Sequence, residues 1–86
     1  MNKSDWYVYI VKCKDDSLYT GISNNVENRI EKHNSGKGSK SIVKFKRPVE
    51  LVYLEKFPNR STASIRESEI KKLSRKDKKQ LVNMGP

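Results

Sequence analysis

Residues 6–13 read WYVYIVKC and, after the segment 14–17 (KDDS), residues 18–23 read LYTGIS. Both runs are rich in aromatic and β-branched residues, the composition of strands. The aspartates between them suit a tight turn, so the pair reads as a hairpin. Strand side chains alternate between faces. Trp6, Val8, Ile10 and Lys12 therefore share one face, and Tyr7, Tyr9, Val11 and Cys13 share the other. On the return strand Tyr19 and Gly21 share a face, with Leu18, Thr20 and Ile22 opposite. Tyr9 and Tyr19 then fall within reach of each other across the hairpin. Two isolated tyrosines would be ordinary sheet aromatics. Gly21 argues for more, because a strand glycine costs stability and marks a close approach by another group.

Beyond the hairpin, Asn24 or Asn25 can cap a helix. Val26, Ile30 and His33 lie along its apolar side with Arg29 beside them, while Glu27, Asn28, Glu31 and Lys32 cover its outside. The glycines of 34–41 (NSGKGSKS) stop this helix and open a basic loop. Pro48 leads into a third strand over 49–57 (VELVYLEKF). Pro58, Asn59 and Arg60 read as a turn. Ser61 or Thr62 caps a second helix running to about Leu73, and Ser74 caps a third over 75–82. The predicted order is β-β-α-β-α-α: an α+β fold in which helices flank a small, mainly antiparallel three-stranded sheet.

The chain has 86 residues, enough for a single domain spanning 1–86, with a core over about 6–82. Its 19 Lys and Arg against 10 Asp and Glu give a net charge of +9. Such a field attracts polyanions, nucleic acid first and an anionic membrane surface second. A merely solvated basic surface is the ordinary alternative. The single Cys13 excludes an internal disulfide, and with no signal peptide the expectation is a reducing, cytoplasmic location. No apolar run approaches the ~20 residues of a membrane span.

Arg29 and His33 stand one helical turn apart and project from the same face. An Arg at the edge of an apolar stripe suggests a guanidinium fixed beside the core, in the form that grips phosphate bidentately. His33 alone reads equally well as a helix C-terminal histidine favoured by the macrodipole. On the second helix Ala63, Glu67 and Ile70 fall on one side. A carboxylate on that inward edge needs a partner, since burying an unpaired charge is costly. A metal ion or Arg29 can supply one. Glu69 points elsewhere and reads as surface.

These residues also carry a resemblance. Tyr7-Val8-Tyr9 and Tyr19-Thr20-Gly21 resemble the two motifs of the GIY-YIG nuclease superfamily, in order and spacing. Arg29, His33 and the helix-borne Glu67 match the residues that follow them. HNSGKG (33–38), RPVELVY (47–53) and KKLSR (71–75) resemble a short, single-domain bacterial branch. The resemblance spans Trp6 to Leu81. Either tripeptide alone is weak, whereas the ordered set is specific. The chain departs from the pattern at Tyr7, which stands where the first motif has glycine, and at Val8 and Thr20. The stretch 39–46 (SKSIVKFK) lacks that branch's Tyr-Thr-Arg run, and Ile22 and Ser23 stand where some members have lysine.

The resemblance implies metal-dependent hydrolysis of phosphodiester bonds in nucleic acid, with DNA favoured over RNA. On that reading Tyr9, Tyr19, Arg29, His33 and Glu67 are catalytic, and Glu67 holds Mg²⁺ or Mn²⁺. Arg29 stabilises charge on the phosphate, and His33 supports the base or contacts phosphate. Either Tyr9 or Tyr19 activates the water, although an ordinary phenol with a pKa of about 10 is a poor base at neutral pH. Lys37, Lys40, Lys44, Lys46 and Arg47 form the expected nucleic-acid-binding cluster. The altered 39–46 stretch keeps open a rival, a domain that binds nucleic acid without cutting it. A protein-interaction adaptor explains the charge poorly.

Overall fold

The computed structural model describes residues 5–35 and 48–85. Its elements run β1 (Trp6–Lys12), β2 (Leu18–Ser23), α1 (Val26–Ser35), β3 (Glu50–Phe57), α2 (Arg60–Lys71) and α3 (Arg75–Met84). The three strands form one antiparallel sheet in the order β2-β1-β3. Order and fold class are those predicted.

β1 is the middle strand and is covered on both faces, which is why its sequence is a nearly unbroken apolar run. Val8 and Ile10 pack with Tyr53, Ala63 and Ile70 on the face that receives α2 and α3. Tyr9, Val11 and Cys13 pack with Val26 and Val49 on the opposite face, beside α1. Cys13 is buried, and it lies just past the strand end. The hairpin turn closes with Cys13 N–H donating to the Ser17 carbonyl at 2.8 Å. Asp16 takes the left-handed conformation there (φ +68°), which a short polar side chain tolerates.

The third strand is irregular beside β1 and anchored at its entry. Between Ile10 and Val11 the β1–β3 register slips, so that Ile10 faces Tyr53 but Val11 faces Leu51. Val52 is left without a ladder partner, a β-bulge, and it packs on the same cluster as its neighbour Tyr53. At the end of α1, the Asn34 Oδ1 accepts from Val49 N–H at 2.7 Å and ties the helix to the entry of β3.

The cap of α2 is Asn59, not Ser61 or Thr62. Its side chain accepts from Thr62 N–H at 2.9 Å, and the Thr62 hydroxyl donates to the Asn59 carbonyl at 3.1 Å, so the threonine serves the cap instead of being it. α2 also ends at Lys71, before Leu73, because Leu73 N–H turns back to the Ile70 carbonyl at 3.0 Å and tightens the last turn. Ser74 caps α3 as expected, accepting from Asp77 N–H at 3.1 Å, and that helix runs on to Met84. No helix among the described residues is long and apolar enough to cross a membrane.

Candidate active site

Tyr9 stands directly opposite Gly21 in the β1–β2 ladder. A Cβ on Gly21 would sit 2.6 Å from the Tyr9 hydroxyl, so only glycine lets the phenol lie across β2. That path carries the hydroxyl to α1, where it meets His33 Nε2 at 3.0 Å. Both residues are 1% exposed. The Tyr19 ring approaches the same imidazole edge-on, with centroids 5.2 Å apart at 69°. Tyr19 is half-buried and retains a solvent-facing side.

Arg29, one turn before His33, is half-buried and close enough to the Tyr9 phenol to act on its ionisation. Its Nε is buried with no hydrogen-bond partner among the described residues. A guanidinium presents donors in a fixed fork and accepts nothing. A buried donor left unmatched is costly, and its presence calls for an explanation.

Burial is the main reason the Tyr9 phenol is pushed above its ordinary range, opposed by the hydrogen bond and charge of Arg29 and reinforced by Tyr19 and by the Glu67 carboxylate. Burial likewise lowers the His33 imidazole, and the Arg29 charge lowers it further. Tyr9 is therefore protonated and His33 neutral near pH 7. A neutral imidazole has one donor and one acceptor nitrogen, so which of Tyr9 and His33 donates in their hydrogen bond follows the His33 tautomer.

Tyr9, Tyr19, Arg29 and His33 are thus brought together, and Glu67 is near enough for its charge to act on Tyr9. Glu67 has a partner other than those anticipated. Lys71, one turn further along α2, lies 3.4 Å from its carboxylate. The i,i+4 spacing of the two was visible in the sequence. Glu69 is more exposed and pairs with Arg66 at 3.4 Å, as a surface residue should. Lys37, Lys40, Lys44, Lys46 and Arg47 lie outside the described residues.

Sequence reasoning missed a brace behind the site. The Tyr53 hydroxyl donates to Glu55 at 2.5 Å, and Arg66 Nε donates to the same carboxylate oxygen at 3.3 Å. This network fastens α2 to β3 and so holds the rotational phase of Glu67, the next residue along. The alternation of Tyr53 and Glu55 along the strand was its only signal.

The donors at hand would suit one kind of metal and not another. Among the described residues no three His, Cys, Asp or Glu side chains cluster as a metal cage. One half-buried carboxylate fits a hard cation that keeps waters and takes phosphate oxygens, the habit of Mg²⁺. It does not fit a zinc site, which closes with N and S ligands.

Residues 5–80 match the profile of the GIY-YIG catalytic domain. A UPF0213 protein of Staphylococcus haemolyticus is 58% identical over 76 residues, covering 88% of this chain and 92% of that one. A UPF0213 protein of Staphylococcus saprophyticus is 54% identical over 79 residues, covering 92% and 95%. Among solved structures, the solution NMR structure of a UPF0213 protein of Bacillus halodurans superposes with a TM-score of 0.61 at 46% identity, over 93% of this chain and 84% of that one. That of a protein of E. faecalis does so with a TM-score of 0.65 at 42% identity, over 96% and 88%. With the two tyrosine motifs on one sheet face and a match over nearly its whole length, this chain belongs to the GIY-YIG catalytic-domain family.

Proposed function

We propose that this protein is a divalent-metal-dependent nuclease that hydrolyses phosphodiester bonds in nucleic acid, DNA before RNA. The observation that carries the reading is the Arg29 guanidinium. It is held half-buried beside Tyr9, Tyr19 and His33 with an unmatched buried Nε–H, and among the described residues no carboxylate pairs with it. A cation fixed this way is preorganised for an anion that is not part of the fold.

The two tyrosines divide the work by burial. Tyr9 is sealed from solvent, with its hydroxyl already engaged by His33, so it cannot meet an attacking water. Tyr19 faces solvent and takes the role of orienting the water and accepting its proton. His33, equally sealed, positions the two phenols and does not touch phosphate. Arg29 binds a non-bridging phosphate oxygen and stabilises the charge that grows there. Glu67, released from the exposed Lys71, would hold Mg²⁺ or Mn²⁺. When bound, that ion supplies Lewis-acid polarisation of the phosphate and charge neutralisation at the leaving oxygen.

The test is cleavage of labelled single-stranded, double-stranded and branched DNA and RNA with Mg²⁺ or Mn²⁺ and with chelator. Metal-dependent products that vanish in Glu67→Ala support the proposal. Binding with no cleavage on any substrate supports the rival suggested by the altered 39–46 stretch, a binding domain of the same fold.

A further inference from the structure

A second feature lies on the other face of the sheet. The turn end of the β1–β2 hairpin, the bulge of β3 and one side of α3 enclose a cleft of about 540 Å³, lined by Lys12, Asp16, Leu18, Val52, Arg75, Lys79, Val82 and Asn83. Lys12 and Leu18 are ladder partners whose side chains share the Val8 and Ile10 face, so the cleft looks away from Tyr9 and Tyr19. None of these lining residues belongs to the catalytic cluster.

Its lining has two chemistries in a definite arrangement. Arg75, Lys79, Val82 and Asn83 form one stripe of α3 at i, i+4, i+7 and i+8 spacing. Arg75 opens the helix, where the dipole adds positive potential, Lys79 stands one turn on, and the valine and amide follow toward the end. Leu18, Val52 and Val82 make a partly buried apolar floor, and the bulge is what turns Val52 into it. Lys12 is matched by Asp16 at 3.1 Å, but Arg75 and Lys79 have no acidic partner among the described residues. A solvated helix face needs no floor, and an apolar pocket needs no cations. A ligand with an anionic edge and a flat apolar body uses both.

We propose that this cleft is a second binding site, taking a single nucleic-acid strand with phosphates on Arg75 and Lys79 and a base against the Leu18, Val52 and Val82 floor. It rests on nucleic acid being the substrate class. The size is that of a small-ligand site. A duplex keeps its base faces stacked and cannot offer them to the floor, which selects an unpaired strand. The strand held here is not the one on the catalytic face, so the site favours substrates with an unpaired arm or tail.

The test is metal-free binding of a short oligothymidylate to the full chain, followed by fluorescence anisotropy across a salt series and by methyl NMR. Both cations are exposed helix residues, so a double Arg75→Ala and Lys79→Ala variant keeps the fold, which its melting curve checks. It should bind roughly tenfold more weakly and lose about 1.4 from the salt slope, about 0.7 for each single-strand phosphate contact. Asp16→Asn, which tolerates the left-handed turn and frees Lys12, should bind several-fold more tightly. Methyl signals of Leu18, Val52 and Val82 should move with the oligonucleotide and not with a duplex or a glutamate peptide of equal charge. An unchanged slope in the double variant, methyls that stay still, or methyls that answer the peptide equally well would overturn the proposal. Because no metal is present, loss of cleavage in Glu67→Ala leaves these outcomes untouched. A chain that binds the oligonucleotide only through the catalytic face rejects this site alone.

Discussion

The two faces of β1 are built to different rules. On one, Val8 and Ile10 meet Tyr53, Ala63 and Ile70 in apolar packing, and among the described residues the Thr20 hydroxyl is the buried polar atom there without a partner. On the other, the same strand buries a phenol against an imidazole and sets a guanidinium beside them with a donor unmatched. Burying polar groups costs free energy that an aliphatic face would not. Both faces bury an apolar cluster, and the second builds a fixed, hydrogen-bonded group of side chains into its own.

Substitutions should separate the faces. The largest loss of stability is expected from Ile10→Ala, about 2–5 kcal/mol by cavity formation, with turnover per folded molecule unchanged. Denaturant melts and active-fraction assays would show both. Gly21→Ala should cost about 1–3 kcal/mol, because its Cβ would sit 2.6 Å from the Tyr9 hydroxyl. Here turnover should fall with the displaced Tyr9–His33 bond, and the NMR shifts of His33 would report it. Turnover unaffected in this variant would mean that the Tyr9 path does not matter to chemistry.

pH probes the polar face alone. The folded state lowers the His33 pKa, chiefly by burial. The unfolded chain then binds more protons as pH drops below the ordinary imidazole value near 6.5, so stability rises with pH. The contribution is fully present above that value and is lost as pH falls toward the lowered one. His33→Gln should flatten the fall in melting temperature between neutral and mildly acid pH. Smallest of all is Lys71→Ala. Its ion pair with Glu67 is exposed on the lysine side, and exposed i,i+4 pairs are worth about 0.5 kcal/mol or less.

Much of this contrast was legible in the residues. Alternation alone put Tyr9 and Val11 opposite Val8 and Ile10, and helical phase put Arg29 with His33 and Glu67 with Ile70. These are period arguments and survive folding. Contests between neighbours were not legible. Asn59, Ser61 and Thr62 are all good caps, and the winner depends on which backbone geometry the end of β3 imposes. The bulge at Val52 has no glycine or proline to announce it. The difference in burial between Tyr9 and Tyr19 depends on Gly21 and α1, which spacing cannot weigh.

If the groups gathered around Tyr9 act on a bound phosphate, Arg29 must matter far more to cleavage than to binding. Single-turnover cleavage and equilibrium binding of one labelled DNA, with Mn²⁺, should be measured for the natural chain and for Arg29→Ala. Cleavage should slow by about 10²–10³-fold, with affinity reduced only by the share of one charge among the 19 cationic residues. Cleavage and binding that fall together by the same small factor would make Arg29 one basic contact among many and remove the phosphate role assigned to it.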